Sequence, residues 1–255
     1  MWKSVLITGA TSGIGYALTF MLENQCEHLI LVGRNQDVLQ ELKLKLHCPT
    51  TICRADLTHD RREVVDLIRE FCPELVINNA GSGLYGDVLL HTTREQLEML
   101  ELNINAVVEL TLESAKTLSL HRKKGIIVNV SSAAGFFEYP SFNLYAASKG
   151  FVNQFSKTLD RELSSKQIRV LTSCPGMVAT QFRTRASKGL SKNDFFAMSP
   201  KKAARLILHQ IEHRIPLYIF DYRTRLLVLL TRFLPKRWVQ NKLKKAIDKI
   251  VQSKA

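Results

Sequence analysis

The sequence predicts a doubly wound α/β fold: one domain over residues 1–255, with a parallel sheet of about seven strands and helices on both faces. Three observations predict it. Strand-like and helix-like segments alternate from the first residues onward. The strand-like runs are continuously apolar, as strands covered on both faces must be, rather than alternating. No Pro/Gly/Ser-rich linker and no internal repeat divides the chain. Right-handed crossovers then fix the sense of winding.

In chain order, residues 5–8 form a short β-branched run ending in a glycine-rich turn, and Ile14, Leu18, Met21 and Leu22 follow with helical spacing. A second apolar run at 28–33 precedes a helix near 36–46, with Leu39, Leu42 and Leu46 on one stripe. Further strands are expected at 51–54, 75–78, 125–131, 168–174 and 216–220, separated by helices. Residues 181–199 break the rhythm as a long, polar, weakly periodic connection ending in Phe195 and Phe196, and a substrate lid is expected there. Beyond the last strand, 222–255 reads as a basic helical extension, with helices at 222–234 and near 236–253.

Composition narrows the class. With 45% hydrophobic and 23% charged residues, the chain is neither disordered, collagen-like nor a disulfide mini-scaffold. The longest strongly apolar run, 226–230, is far too short to span a bilayer. Five cysteines (Cys26, Cys48, Cys53, Cys72, Cys174) show no C-x-x-C spacing, which suggests reduced thiols in a cytoplasmic protein. Trp2-Lys3 leads straight into the first strand, leaving no space for a cleavable apolar leader.

Charge is unevenly placed. Residues 1–182 hold 18 basic and 19 acidic side chains, whereas 183–255 hold 18 basic and 4 acidic. Such asymmetry suits an anionic partner for the C-terminal segment, whether membrane surface, nucleic acid or acidic carrier, or else a solvated basic face. Nucleic acid is disfavoured because basic and aromatic residues do not interleave in a recognised motif. Between Tyr222 and Trp238, apolar bulk (Leu226, Leu227, Val228, Leu229, Leu230, Phe233, Leu234) is flanked by Arg223, Arg225, Arg232, Lys236 and Arg237. That pattern suits a helix lying in a membrane interface, covering a substrate pocket or buried between subunits. Lys242, Lys244, Lys245 and Lys249 read as the solvated face of a last helix.

The turn Thr8-Gly9-Ala10-Thr11-Ser12-Gly13-Ile14-Gly15 lies where the first strand meets the first helix. Glycines allow a sharp turn and close approach to a pyrophosphate, and the helix start offers free N–H groups and a positive dipole end. The second strand ends in Val32-Gly33-Arg34-Asn35, without the carboxylate that would accept the ribose hydroxyls of NAD. A guanidinium fits a phosphate bidentately, so Arg34 is read as a ligand for a 2′-phosphate and the cofactor as NADP(H). Tyr145 and Lys149 stand four residues apart on a predicted helix, so phenol and ammonium are neighbours, and a nearby cation favours the phenolate. Ser131-Ser132 ends the preceding strand and returns a hydroxyl to the same crevice.

Together, T-G-x-x-x-G-I-G at 8–15, Asn78-Asn79-Ala80-Gly81, Ser132 with Tyr145 and Lys149, and Pro175-Gly176 followed by Thr180 make the chain resemble the short-chain dehydrogenase/reductase family over at least 4–220. The resemblance implies a Rossmann-like fold and hydride transfer between a nicotinamide and a carbonyl or secondary alcohol. It also implies that Tyr145 is the general acid, that Ser132 holds the carbonyl oxygen, and that Lys149 binds the nicotinamide ribose and lowers the tyrosine pKa. Asn103 rather than Asn105 would hold a water in a proton relay. Gly9, Thr11, Ser12, Gly13, Ile14 and Gly15 would cradle the pyrophosphate. Asp56 and Leu57 would contact the adenine, with Arg34 and Asn35 at the 2′ position and Asn79, Ala80 and Gly81 along the ribose. Pro175, Gly176, Val178 and Thr180 would anchor the carboxamide. A homo-oligomer, dimer or tetramer, is implied as well. The apolar lid and tail residues favour a lipid-, acyl- or steroid-like substrate. The alternative is a non-catalytic NADP-binding sensor or scaffold with a membrane-associating tail.

Structural readings stand beside these. Asn78 braces strands, Asp56 caps a turn and Ser131 is scaffolding. His209-Gln210-Ile211-Glu212-His213 spells H-x-x-E-H, but on a helix with Leu206 and Leu208 it reads as surface, and no metal is expected.

Overall fold

The computed structural model describes residues 1–186, 197–231 and 236–252. Seven strands, β1 (Trp2–Thr8), β2 (Cys26–Gly33), β3 (Thr50–Arg54), β4 (Leu75–Asn78), β5 (Gly125–Val130), β6 (Ile168–Cys174) and β7 (Leu217–Ile219), form one sheet in the order β3-β2-β1-β4-β5-β6-β7. Every pairing is parallel. The winding reverses between β1 and β4, and a crevice outside the carboxyl ends of the strands opens at such a switch point.

Burial on both sides explains the continuously apolar strands. On β1, Val5 and Ile7 face a core shared with α1 (Gly13–Leu22), α2 (Gln36–Lys45) and α8 (Pro200–Glu212). Between them Leu6 faces a second core, filled from α3 (Arg62–Phe71), α5 (Ala106–Leu120) and α6 (Asn143–Leu163). Leu6, Ile7, Leu29, Ile30 and Leu31 are fully buried. The remaining helices are α4 (Thr93–Leu100), α7 (Gln181–Ala186), α9 (Tyr222–Leu230) and α10 (Lys236–Gln252).

The expected strands appear; β1, β2 and β3 begin one to three residues earlier than expected, and β5 and β7 are shorter by one and two residues. The connection at 181–199 carries regular structure at both of its described ends. It opens with α7 and closes where Met198 pairs with Val178, the Ala179 amide donating to the Met198 carbonyl at 2.8 Å. The expected lid residues Phe195 and Phe196 lie outside the described residues, as do Arg232, Phe233 and Leu234 of the tail. No helix among the described residues is long and apolar enough to cross a membrane.

Candidate active site

The crevice begins at the turn between β1 and α1. Gly9 and Gly13 adopt φ of +67° and +58°, which L side chains rarely tolerate. A Cβ on Gly15 would stand 2.3 Å from the Gly9 carbonyl oxygen, so this turn closes only around a hydrogen. Thr8 and Asn79 hold it in place. The Thr8 hydroxyl accepts from the Asn79 and Ala80 amides at 3.0 Å, and the Asn79 amide group donates to the Thr8 carbonyl at 2.9 Å. Asn79 is thus a brace for the turn as well as an expected ribose neighbour. Ser12 caps α1 without using its hydroxyl on the helix, and the first amides of the helix have no partner within it. From the opposite side Thr180 packs against Gly13. These groups fit a dinucleotide pyrophosphate: positive-φ glycines, an N-terminal helix end and no side chain in the way.

At the tip of β2 a cavity of about 520 Å³ is lined by Thr11, Arg34, Asn35, Gln36, Asp37, Arg54 and Arg185. Three guanidiniums line one pocket. The sequence points to Arg34 alone, because Arg54 sits at the end of β3 and Arg185 on α7, each separated from it in the chain. Asn35 caps α2, its Oδ1 accepting from the Val38 amide at 3.1 Å. Asp56 accepts from the Thr58 amide at 3.0 Å and approaches Arg34 to 3.8 Å, so it is both a turn cap and an edge of this pocket. Burial raises the Asp56 carboxyl, but the Thr58 hydrogen bonds and then the Arg34 and His59 charges outweigh it and leave the pKa below its ordinary value. Leu57 packs its side chain into the core with Val64, Val65 and Ile68, so only its backbone is left to meet an adenine.

The chemistry-bearing side chains converge from β5, α6 and the α4–α5 junction. Ser132 follows β5 and caps a short turn at Ala133–Phe136, its Oγ accepting from the Ala134 amide at 3.1 Å. Two glycines let that turn lie on α6. A Cβ on Gly135 would meet the Lys149 carbonyl carbon at 2.6 Å, and one on Gly150 would meet the Gly135 oxygen at 3.2 Å. The Ser131 hydroxyl ties the same segments, donating to the Lys149 carbonyl at 3.0 Å. Tyr145 and Lys149 are both buried on α6, with the Lys149 Nζ 5.8 Å from the phenol ring centre.

Electrostatics differ from the sequence expectation at this pair. Burial pushes the Tyr145 phenol above its ordinary value, and the Ser132 hydroxyl acts in the opposite direction. Burial pushes the Lys149 ammonium down to about 8. Lys149 donates to the Val130 carbonyl at 3.0 Å rather than to the phenol, so the expected lowering of the tyrosine by the lysine is not a property of the chain alone. A neutral phenol is the form that donates a proton.

Asn103 lies in a stretch of wider, π-type winding, Glu101–Asn105, which links α4 to α5. Such bulges re-aim side chains at functional sites. Asn103 is fully buried; its Oδ1 accepts from the Ser82 amide at 3.0 Å and its Nδ2 donates to the Ser82 carbonyl at 2.9 Å. The same Oδ1 and the Lys149 Nζ lie 3.2 and 3.5 Å from where a Gly81 Cβ would stand, which gathers Asn103, Gly81 and Lys149 at one spot. Asn105 is exposed and donates to Glu101. Asn78 donates to Thr111 and Asn129 in the interior, as a strand brace.

The wall around Tyr145 is aromatic. Phe142 stacks on it with ring centres 4.1 Å apart, Phe182 of α7 lies at 5.5 Å, and Tyr85 and Tyr139 flank Phe142. Met99, Leu84 and Leu100 complete the cluster. Leu84, Tyr85 and Tyr139 lie in loops and Met99, Leu100 and Phe142 at helix ends, and no sequence pattern marks them as neighbours. The Tyr85 amide donates to the Ala186 carbonyl at 2.9 Å and so anchors α7 over this wall. Pro175 accepts from the Ala133 amide at 2.9 Å, and Gly176 lies beneath Thr224 of α9.

Away from the crevice, His209, Glu212 and His213 meet on the exposed side of α8 with ligand atoms within 4.8 Å of one another. The His213 Nδ1 is already bonded to the His209 carbonyl at 2.9 Å.

A doubly wound parallel sheet with a glycine turn at its switch point is the architecture of dinucleotide-binding proteins. The chain belongs to the short chain dehydrogenase family, whose family model matches residues 3–191. It is 31% identical to 17-beta-hydroxysteroid dehydrogenase type 3 of Mus musculus, over 91% of this chain and 83% of that protein. Among solved structures, a short-chain dehydrogenase from Sphingobium yanoikuyae in complex with NADPH aligns with a TM-score of 0.80 at 25% identity, covering 99% of this chain and 98% of the other. A 4-hydroxyisoleucine dehydrogenase complexed with NADH aligns at 0.72 and 26% identity, over 86% and 97% of the two chains.

Proposed function

We propose that the protein is an NADP(H)-dependent carbonyl reductase or alcohol dehydrogenase for an apolar carbonyl substrate. The observation that carries this reading is the convergence of Ser132, Tyr145, Lys149 and Asn103 on one crevice beside the glycine turn. The dinucleotide, when bound, supplies the hydride. Tyr145 gives its hydroxyl proton to the carbonyl oxygen, and Ser132 holds that oxygen. Lys149 binds the ribose hydroxyls and carries the proton path toward Asn103. The raised phenol suits the donor role in the reductive direction.

The preference for NADP(H) is supported by Arg34, Arg54 and Arg185 around one pocket, and by the NADPH complex of the Sphingobium relative. The NADH complex of another relative means that the fold alone does not choose. An apolar substrate is supported by the Phe142, Phe182 and Tyr85 wall and by the steroid named for the mouse relative. Self-association is supported by exposed Leu120 bordering a groove between α5 and α6, with Leu112, Leu159 and Leu163 in its lining, and light scattering across a concentration series tests it.

The central test is NADPH consumption with a panel of cyclic and long-chain ketones and aldehydes. Tyr145→Phe is expected to lower kcat by about 10²–10⁴-fold with NADPH binding unchanged. Turnover that survives Tyr145→Phe overturns the assignment. Dinucleotide uptake without turnover on any carbonyl favours the sensor or scaffold reading.

A further inference from the structure

Helix α9 is anomalous for a helix packed on a globular core. Among its nine residues none is buried; Thr224 and Val228, one turn apart, are half-buried, and Arg225 reaches back to the Ile219 carbonyl and the Tyr218 ring. Tyr222, Leu226, Leu227, Leu229 and Leu230 all face outward, Leu226 at 55% and Leu229 at 56% exposure. Trp238 at the start of α10 is 51% exposed, with the Lys242 ammonium 5.4 Å from its ring centre. Isolated exposed apolar residues need no explanation, but a contiguous set marks an interaction surface.

Charge says which kind. Residues 222–255 hold ten basic side chains and one acidic. Arg223, Arg237, Lys242, Lys244 and Lys245 are exposed alongside the apolar set. A soluble protein partner would need a matching acidic and apolar face, whereas an anionic bilayer offers both features at once. Basic side chains meet its headgroups, and leucines with an interfacial tyrosine and tryptophan enter the acyl boundary. The helices are too short and too charged to cross it.

Position adds a function. Val228 packs against the cluster of Ala133, Cys174 and Ile219, directly behind the Ser132 segment. Gln240 of α10 donates to Glu138, just beyond the turn that Ser132 caps. The exposed surface therefore stands at the same sheet edge as the aromatic wall around Tyr145.

We propose that α9 and α10 dock the protein on an anionic lipid surface, so that an apolar carbonyl passes from the bilayer to the Tyr145 crevice. The docking stands without the reductase reading; the delivery of substrate rests on it.

Sedimentation of the full chain with vesicles tests the docking. Phosphatidylcholine vesicles containing phosphatidylglycerol are expected to carry the protein down, while phosphatidylcholine alone carries at least tenfold less, since each basic side chain near an anionic surface strengthens binding by about fivefold. Leu226→Glu with Leu230→Glu should abolish sedimentation. Lys242→Gln with Lys244→Gln and Lys245→Gln should remove the dependence on phosphatidylglycerol. NADPH titration in solution should be unchanged in both variants, so a failed reductase reading and a failed docking surface give different results. Protein that stays in solution with anionic vesicles overturns the proposal. So does an oligomer, seen by light scattering, that Leu226→Glu with Leu230→Glu dissociates without altering sedimentation, because the face then covers a second copy.

Discussion

At the dinucleotide end of the crevice the working surface is mostly backbone: glycines at positive φ, helix amides and a turn braced by Thr8 and Asn79. At the Tyr145 end it is side chains, with Phe142 just ahead of the tyrosine and Phe182, Tyr85 and Met99 delivered by segments distant in the chain onto a buried tyrosine and lysine. A rigid backbone cradle suits a pyrophosphate, the part that NAD and NADP have in common. A substrate differs from one relative to the next, and side chains on loops can be exchanged without rebuilding the sheet.

The sharpest way to break the comparison is Gly15→Ala. Its methyl group would meet the Gly9 carbonyl at 2.3 Å, a backbone atom that cannot step aside. Strain of about 1–3 kcal/mol is expected. A thermal melt should shift downward and NADPH affinity fall by about one to two orders of magnitude, the latter being the fold equivalent of that strain.

On the substrate side, burial sets the expectation for Lys149. Folded Lys149 titrates near 8 and the unfolded lysine near 10.5, so the folded state binds this proton less tightly. Below pH 8 the full cost of burying the charge is present. Between 8 and 10.5 it falls away, and stability rises with pH relative to a variant without the group. Lys149→Met should therefore be the more stable chain at pH 7, by an amount on the order of 3 kcal/mol, and urea melts at pH 7, 8 and 9.5 should show the gap narrowing. A gap independent of pH would mean that the amine is hydrated in the fold.

Arg34→Ala sharpens the cofactor side. Hydrogen bonds to a charged group contribute about 1.5–3 kcal/mol, so the dissociation constant for NADPH should rise by about 10–150-fold while that for NADH changes by less than about twofold. Equal losses for both would place Arg34 outside the phosphate site. The smallest effect is expected for Asn105→Ala, which removes only a solvent-facing bond to Glu101. Turnover should stay within about twofold of the parent, because exposed substitutions rarely exceed 0.5 kcal/mol.

How much of this was legible depended on whether the cause was local. The strands were legible because burial on both faces leaves a continuous apolar run. The positions of the glycine turn, Arg34, Ser132, Tyr145 and Lys149 were legible, as candidates, because each sits at a strand end or a helix turn marked by its own neighbours. Arg54 and Arg185 were not, since nothing near either residue says that β3 and α7 end at the same cavity. Tyr85 escaped notice for the same reason, whereas Phe142, three residues before Tyr145, did so because chain spacing does not say which rings stack. The lysine effect on the tyrosine was misread because spacing along a helix sets proximity but not desolvation.

Periodicity, turn chemistry and charge order along the chain thus determined the parallel sheet, the glycine turn, the candidate reacting residues and the cationic character of the C-terminal helices. Which arginines share a pocket, which aromatics surround Tyr145, how burial moves two pKa values in opposite directions and which face of α9 is left in water were decided by tertiary packing. Those properties depend on distances between residues far apart in sequence, and such distances exist only once the helices have closed over the sheet.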